Sequence, residues 1–388
     1  VVNVGLLKLD LFSHGIHAAK GLPSPLTNPF GLVHLVLPGK IPVSVHLIEG
    51  RDKSPYTLVR HDGHYYLEVS DGKRPRIPVH WTPPLKSYQK KTSSGLLVSD
   101  ILTVHGGFIA VHPSHPCRFG QSGLSCRYCG STKELSQHPP FSKRDLVEAI
   151  GIVLKEKRCD VVHLSSGRVE TEDGGVKWLS PWVAEIRKHL NILISLDLVP
   201  PASNEWIDET YAIGVDALYY DTDFFDPADT SRKEFRKERN RQVEALEYAA
   251  KIFPTGAVLS HLVIGFEPLE ETRRSIDLLI ERGVVPVLVY FPPYDGTDLK
   301  SRWTASPEKI TDLYAHLFER LVRTRITPHW VQQYDVVLTP LEGRFFSKES
   351  ARYHLALKNF YEMSVGRALR FGLASLRRRL RVREVPAP

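Results

Sequence analysis

The sequence predicts an α/β architecture with a mostly parallel sheet, preceded by a β-rich region and followed by a helical extension. Three observations carry this reading. Apolar runs suited to buried strands alternate six times with helix-like stretches between about residues 103 and 325. Before them, short β-branched and aromatic runs alternate with turn signals. After them, a helix-like stretch leads into an arginine-rich tail. The expected units are residues 1–102, 103–325 and 326–388.

In the first unit the strand-like runs are Val43–Ile48, Tyr56–Arg60 and His64–Val69, with turn signals at Asp62-Gly63 and Asp71-Gly72. A hairpin is expected around Asp62-Gly63. Pro83-Pro84 and the polar Lys90–Ser94 read as a linker. In the second unit the strands are Phe108–Val111, Val161–Leu164, Ile192–Leu196, Ala217–Tyr220, Val258–Ile264 and Val285–Phe291. Helices are expected over Lys143–Lys157, Val176–His189, Glu205–Ile213, Arg232–Ile252, Leu269–Arg282 and Pro307–Arg323. Beyond these, Val331–Leu338 reads as a short strand and Lys348–Met363 as a helix.

With 42% apolar and 24% charged residues, the 388-residue chain can bury a large core and is not disordered in bulk. No apolar run approaches the roughly 18–20 residues needed to cross a bilayer. Val1–Asp10 carries charge within its apolar stretch and has no cleavage-like site, so it does not read as a signal peptide. A cytoplasmic protein is expected. One methionine beside abundant arginine and proline points to a thermophilic source. The net charge of +7 is uneven. After Gly366, Arg367, Arg370, Arg377, Arg378, Arg379, Arg381 and Arg383 face only Glu384, so the rest of the chain is close to neutral.

Three of the four cysteines, Cys117, Cys126 and Cys129, fall within thirteen positions, after the first parallel strand and before the first long helix. Loops at the C-terminal ends of parallel strands are where α/β proteins place their sites. Thiolates are soft ligands suited to iron–sulfur clusters or zinc. Three thiolates leave one iron of a cluster open to a ligand. A structural zinc would need a fourth ligand, which His115 or His138 could supply. Cys159 stands alone and reads as a core or edge thiol.

The three-cysteine loop, with aromatic Tyr128 just before Cys129, resembles the radical S-adenosylmethionine superfamily, whose common motif is C-x3-C-x2-C. Here the spacing is C-x8-C-x2-C. Further matches follow in family order over roughly residues 105–300. His163-Leu164-Ser165-Ser166-Gly167-Arg168 takes the place of the segment that meets the methionine amino group, and Tyr219-Tyr220-Asp221 that of ribose contacts. Arg239 or Arg241 stands where an arginine meets the methionine carboxylate. The segment ending Gly265-Phe266-Glu267 resembles the stretch beside adenine, and Pro292-Pro293 the biotin synthase and HydE-like branch. Taken alone, each has a plainer reading: Ser166-Gly167 a turn, Gly265 a strand end, Asp221 a turn cap, the arginines a solvated helix face.

The resemblance implies a partial (β/α)6 barrel of the TIM type, a 4Fe–4S cluster on Cys117, Cys126 and Cys129, and bound S-adenosylmethionine. Reductive cleavage would yield a 5′-deoxyadenosyl radical acting on a small molecule, with ferredoxin or flavodoxin as the kind of one-electron donor. S-adenosylmethionine contacts are implied for Tyr128, Ser165, Ser166, Gly167, Asp221, Arg239, Arg241, Gly265, Glu267 and Pro292. No second cysteine cluster exists, which disfavours branches with an auxiliary cluster. The alternative is a zinc-stabilised protein binding nucleic acid through its arginine tail, or a radical enzyme that modifies RNA. The plainer reading of the tail is a terminal helix, solvated or docked on acidic neighbours.

Overall fold

Residues 2–48, 54–70, 72, 75–113, 139–167, 169, 171–222, 234–265, 267–290, 307–332 and 334–381 are described by the structure, a computed structural model, with the side chains of 234–239 and 307–308 outside that description. The chain opens with a helix the sequence reading missed, α1 (Val4–His14). Asn3 caps it by accepting from the Gly5 and Leu6 amides, and Gly15 ends it at φ 62°. Its apolar residues Leu7, Leu9 and Leu11 alternate with Lys8 and Asp10, a period of two that mimics a strand. The helix tolerates Lys8 on its inner side because both carboxylate oxygens of Glu342 accept from the ammonium, at 3.0 and 3.1 Å. That pair is buried.

A six-stranded sheet follows: β1 (His17–Ala18), β2 (Leu32–Leu37), β3 (Ile41–His46), β4 (Tyr56–His61), β5 (His64–Val69) and β6 (Ile77–Thr82), in the order β1-β4-β5-β6-β2-β3. The expected hairpin is β4–β5. His61 pairs with His64, and Asp62 (φ 48°) and Gly63 (φ 82°) both take the left-handed backbone that a two-residue turn requires. Strict alternation in β2 turns Val33, Leu35 and Leu37 into a small core shared with Ile41, Val43 and Val45 of β3.

The stretch expected as a linker is instead packed. Lys86–Gln89 forms a 3-10 turn with Tyr88 buried, and Thr92 and Ser93 bond the carboxylates of Asp145 and Glu148. The prolines prevent regular structure but not burial.

The second sheet runs β13-β12-β11-β10-β9-β8-β7. Its strands are β7 (Thr103–His105), β8 (Phe108–Val111), β9 (Val161–Ser165), β10 (Leu193–Asp197), β11 (Ala217–Tyr219), β12 (Val258–Ile264) and β13 (Val285–Tyr290). From β8 to β13 every pairing is parallel, and β7 adds one antiparallel edge. One helix follows each parallel strand: α2 (Lys143–Glu156), α3 (Val176–His189), α4 (Glu205–Ala212), α5 (Glu234–Ile252), α6 (Leu269–Glu281) and α7 (Pro307–Thr324). This is the expected six-unit (β/α)6 partial barrel, with β13 and β7 left as its two edges.

The expected strand at Val331–Leu338 does not form. The segment runs as turns, with Val331 N–H donating to Pro328 and Tyr334 N–H to Val331. Its apolar residues are drawn to separate partners rather than to one sheet face. Asp335 is the clearest case. Its carbonyl accepts from Ser44 of β3, and its carboxylate accepts from the Gly106 amide at 3.0 Å. His34 of β2 and His105 of β7 stand 3.5 and 3.7 Å from that carboxylate, so one residue joins the two sheets.

Burial alone would raise the Asp335 pKa, but the imidazoles of His105 and His34 outweigh it and hold the carboxyl well below the ordinary carboxylate range. Because the folded-state pKa lies below that of the unfolded chain, this stabilisation is complete above about pH 4 and fades as pH falls further. Asp335→Asn should therefore lose about 1–3 kcal/mol near neutral pH, with the gap from wild type narrowing in acid. Urea unfolding at two pH values reads this directly. A gap that widens in acid would contradict it.

The chain closes with α8 (Arg352–Glu362) and α9 (Ser364–Arg381). The described part of the arginine tail is thus a helix, and it is docked. Arg367 donates to Asp160 at 2.6 Å and Arg378 to both oxygens of Asp216 at 2.9 Å, immediately before β9 and β11.

Candidate active site

The C-terminal ends of β9 to β12 carry most of the described residues singled out in the sequence. Ser165 ends β9, with Ser166 and Gly167 next; Asp221 lies two residues beyond β11; Gly265 directly follows β12, with Glu267 just after. Arg241 lies on α5. Cys117, Cys126, Tyr128, Cys129 and Pro292 lie outside the described residues, as does the side chain of Arg239.

The strand sequences explain how a polar site forms inside an apolar sheet. β9 reads Val-Val-His-Leu-Ser and β10 reads Leu-Ile-Ser-Leu-Asp. A period of two sends His163 and Ser165, then Ser195 and Asp197, to one shared face. His163 Nδ1 lies 3.0 Å from Ser195 Oγ, and Ser165 Oγ donates to Asp197 Oδ2 at 2.9 Å. On β11 and beyond, Tyr219 and Asp221 continue the face. The Tyr219 ring stacks on His261 of β12 at 5.2 Å, and Asp221 accepts from the His261 amide at 3.0 Å and ring Nδ1 at 2.9 Å. Beneath this layer the interior is filled by aromatic groups. Phe108 meets Tyr334 at 4.5 Å, whose hydroxyl lies 3.0 Å from that of Tyr219.

Electrostatics set His163 apart from Asp221. Burial first, then repulsion from His112 and His261, pushes the His163 pKa down to about 3, so its ring is neutral at physiological pH. Burial opposes ionisation of Asp221, but the neighbouring His261 outweighs it and holds the carboxyl below its usual range. A neutral His163 and an anionic Asp221 therefore belong to the same face.

Loop geometry depends on two glycines. Gly174 (φ 63°) approaches so closely that a Cβ would lie 2.0 Å from the Val199 carbonyl oxygen. That approach lets the loops after β9 and β10 bond, Val199 N–H to Gly174 and Ala202 N–H to Glu172. Arg241 reinforces the same loop, donating to Pro201 O at 2.7 Å and Asn204 Oδ1 at 2.8 Å. Gly265 sits at φ 106°, and buried Glu267 accepts from Thr272 at 2.9 Å.

The structure thus brings together Ser165, Asp221 and their neighbours, while Arg241 and Glu267 are engaged in local bonds. Sequence reasoning assigned no role to Asp197, Ser195 or Tyr334, and it singled out neither His163 nor His261 within the segments that contain them. The available signal was polar residues at every second position within otherwise apolar strands.

The chain aligns with bacteriochlorophyllide c C-7(1)-hydroxylase of Chlorobaculum limnaeum at 25% identity over 264 residues, covering 59% of this chain and 65% of that protein. The chain therefore spans just under two thirds of that relative's length. That relationship joins a cysteine motif placed between β8 and α2 and a set of six β/α units. This likeness agrees with the resemblance of the sequence to the radical S-adenosylmethionine superfamily. Similar solved structures include methylornithine synthase PylB (16% identity, TM-score 0.42, 57% of this chain and 64% of that one). Others are coproporphyrinogen III oxidase HemN from Escherichia coli, a radical SAM enzyme (13%, TM-score 0.34, 43% and 41%), and Streptococcus suis SuiB (13%, TM-score 0.41, 58% and 49%). No family model matches the chain. The polar face at the strand ends is the candidate site.

Proposed function

We propose that this chain is an enzyme that cleaves S-adenosylmethionine reductively and applies the resulting radical to a small molecule. The observation that carries this reading is the polar mouth of Ser165, Asp197, Asp221 and His261, at the strand ends from which the neighbouring cysteine-bearing segment also departs. A 4Fe–4S cluster, when bound, supplies the electron that breaks the sulfonium C–S bond to give methionine and a 5′-deoxyadenosyl radical.

Cys117, Cys126 and Cys129 would hold the cluster, and their soft thiolates fit it. An ionised Asp221 fits a ligand that bears sulfonium and ammonium charges. Ser165, Ser166 and Gly167 are assigned to the amino group, Asp221 to the ribose, Arg239 or Arg241 to the carboxylate, and Tyr128, Gly265, Glu267 and Pro292 to the remaining contacts. The aromatic floor closes the interior below, so substrate would sit above it, shielded from water.

A small-molecule substrate is supported by the named substrate of the relative, bacteriochlorophyllide c. It is also supported by the tail, where Arg367, Arg378 and Arg381 bond to the body of the protein and are thereby taken from any RNA contact. The biotin synthase-like branch, a ferredoxin or flavodoxin donor, a cytoplasmic setting and unit boundaries at 102 and 325 complete the proposal.

The test is anaerobic reconstitution with iron and sulfide, then incubation with S-adenosylmethionine and dithionite. A brown protein that releases 5′-deoxyadenosine and methionine is expected. A colourless protein that retains zinc and releases neither would overturn the reading.

A further inference from the structure

We propose that the outer face of α9 docks the protein onto an anionic bilayer surface. Val365, Leu369, Leu373, Leu376 and Leu380 recur at intervals of three and four and form one stripe, each between 47% and 73% exposed. Isolated exposed leucines are ordinary, but a continuous stripe along one helix is not. The opposite face, where a soluble protein usually puts its leucines, carries buried Ala374 and Arg381. Arg381 donates to the carbonyls of Tyr211 and Val215, and Arg367 and Arg378 to the carboxylates of Asp160 and Asp216. Turning the helix to hide its leucines would break these charged contacts. The apolar face is held outward.

Charge selects the occupant. α9 contains no acidic residue, and Arg377 and Arg379 flank the stripe on its two sides. Beside it, a cavity of about 360 Å³ is lined by Lys155, Lys157, Arg158 and Arg367, the two arginines also pairing with Asp160. Glu156 shares that lining, but its carboxylate is taken by the amides of Lys86 and Ser87. A second copy pairing through α9 would set arginine rim against arginine rim. An anionic lipid surface accepts both features: leucines enter the acyl boundary while arginines extend to the headgroups. At 18 residues, or about 27 Å, the helix is suited to lying flat. No described helix is long and apolar enough to cross the membrane. Because α9 lies across the N-terminal ends of β9 and β11, the docked protein would turn its strand C-terminal mouth away from the lipid.

Flotation of the full chain with phosphatidylcholine vesicles, alone or with added phosphatidylglycerol, tests this. Binding is expected only to the anionic vesicles and should weaken with salt. Leu373→Glu with Leu376→Glu should lower the bound fraction about tenfold or more, as should Arg377→Glu with Arg379→Glu, both without a change in melting temperature. Equal binding to neutral vesicles would overturn the charge argument. Two further results would overturn the lipid assignment: no vesicle binding together with a dimer that Leu373→Glu dissociates, or RNA binding that depends on Arg377 and Arg379 alone.

Discussion

Cys126→Ala should leave the protein without bound iron after reconstitution and without measurable S-adenosylmethionine cleavage, whereas Cys159→Ala should retain both. Removing one of three thiolates leaves two ligands for a cluster that normally has four, so the site no longer closes around it. Cys159 cannot substitute. It is 1% exposed and lies just before β9, at the end of the sheet opposite the departure of the cysteine-bearing segment from β8. Burial also pushes its pKa up to about 11, which keeps it a thiol. Iron content and 5′-deoxyadenosine release are the two readouts. Iron loss in the Cys159 variant, with its melting temperature intact, would show that the ligand set has been assigned wrongly.

Asp216→Ala should be the most damaging single change outside the site. The carboxylate is 3% exposed and accepts from Arg187 at 2.5 Å, Arg378 at 2.9 Å and the Ile194 amide at 3.0 Å. Burial and the neighbouring Arg378 weaken ionisation of Arg187, while Asp216 supports it; the result is a pKa of about 10, so the guanidinium stays charged at neutral pH. Removing the acid leaves two cations facing each other beneath the barrel, at a cost of about 3–5 kcal/mol. Arg378→Ala removes one cation and leaves Arg187 on the acid, so about 1–3 kcal/mol is expected. Urea unfolding of the pair checks the order. If Asp216→Ala costs less than Arg378→Ala, the network does not anchor α9 as described.

Much of the fold was legible because its causes are local. The strands Phe108–Val111 and Val258–Ile264 and the helix Val176–His189 fall where periodicity places them, since buried parallel strands and amphipathic helices write their environment into neighbouring residues. Asp62-Gly63 forms its turn because those residues tolerate positive φ. Where local pattern and tertiary partner disagree, the partner decides. The first helix looks like a strand until Glu342 receives Lys8, and Val331–Leu338 looks like a strand until Asp335 is drawn between two sheets.

By itself, then, the sequence determined the six β/α units, the cysteine spacing and the family those residues resemble. Only the tertiary structure decided that Asp221 meets His261, that Asp197 meets Ser165, and that α9 turns Arg367, Arg378 and Arg381 inward and its leucines out. The reason is distance along the chain. Asp216 and Arg378 are 162 residues apart, and a contact between them depends on how strands and helices stack, which no window of neighbouring residues records.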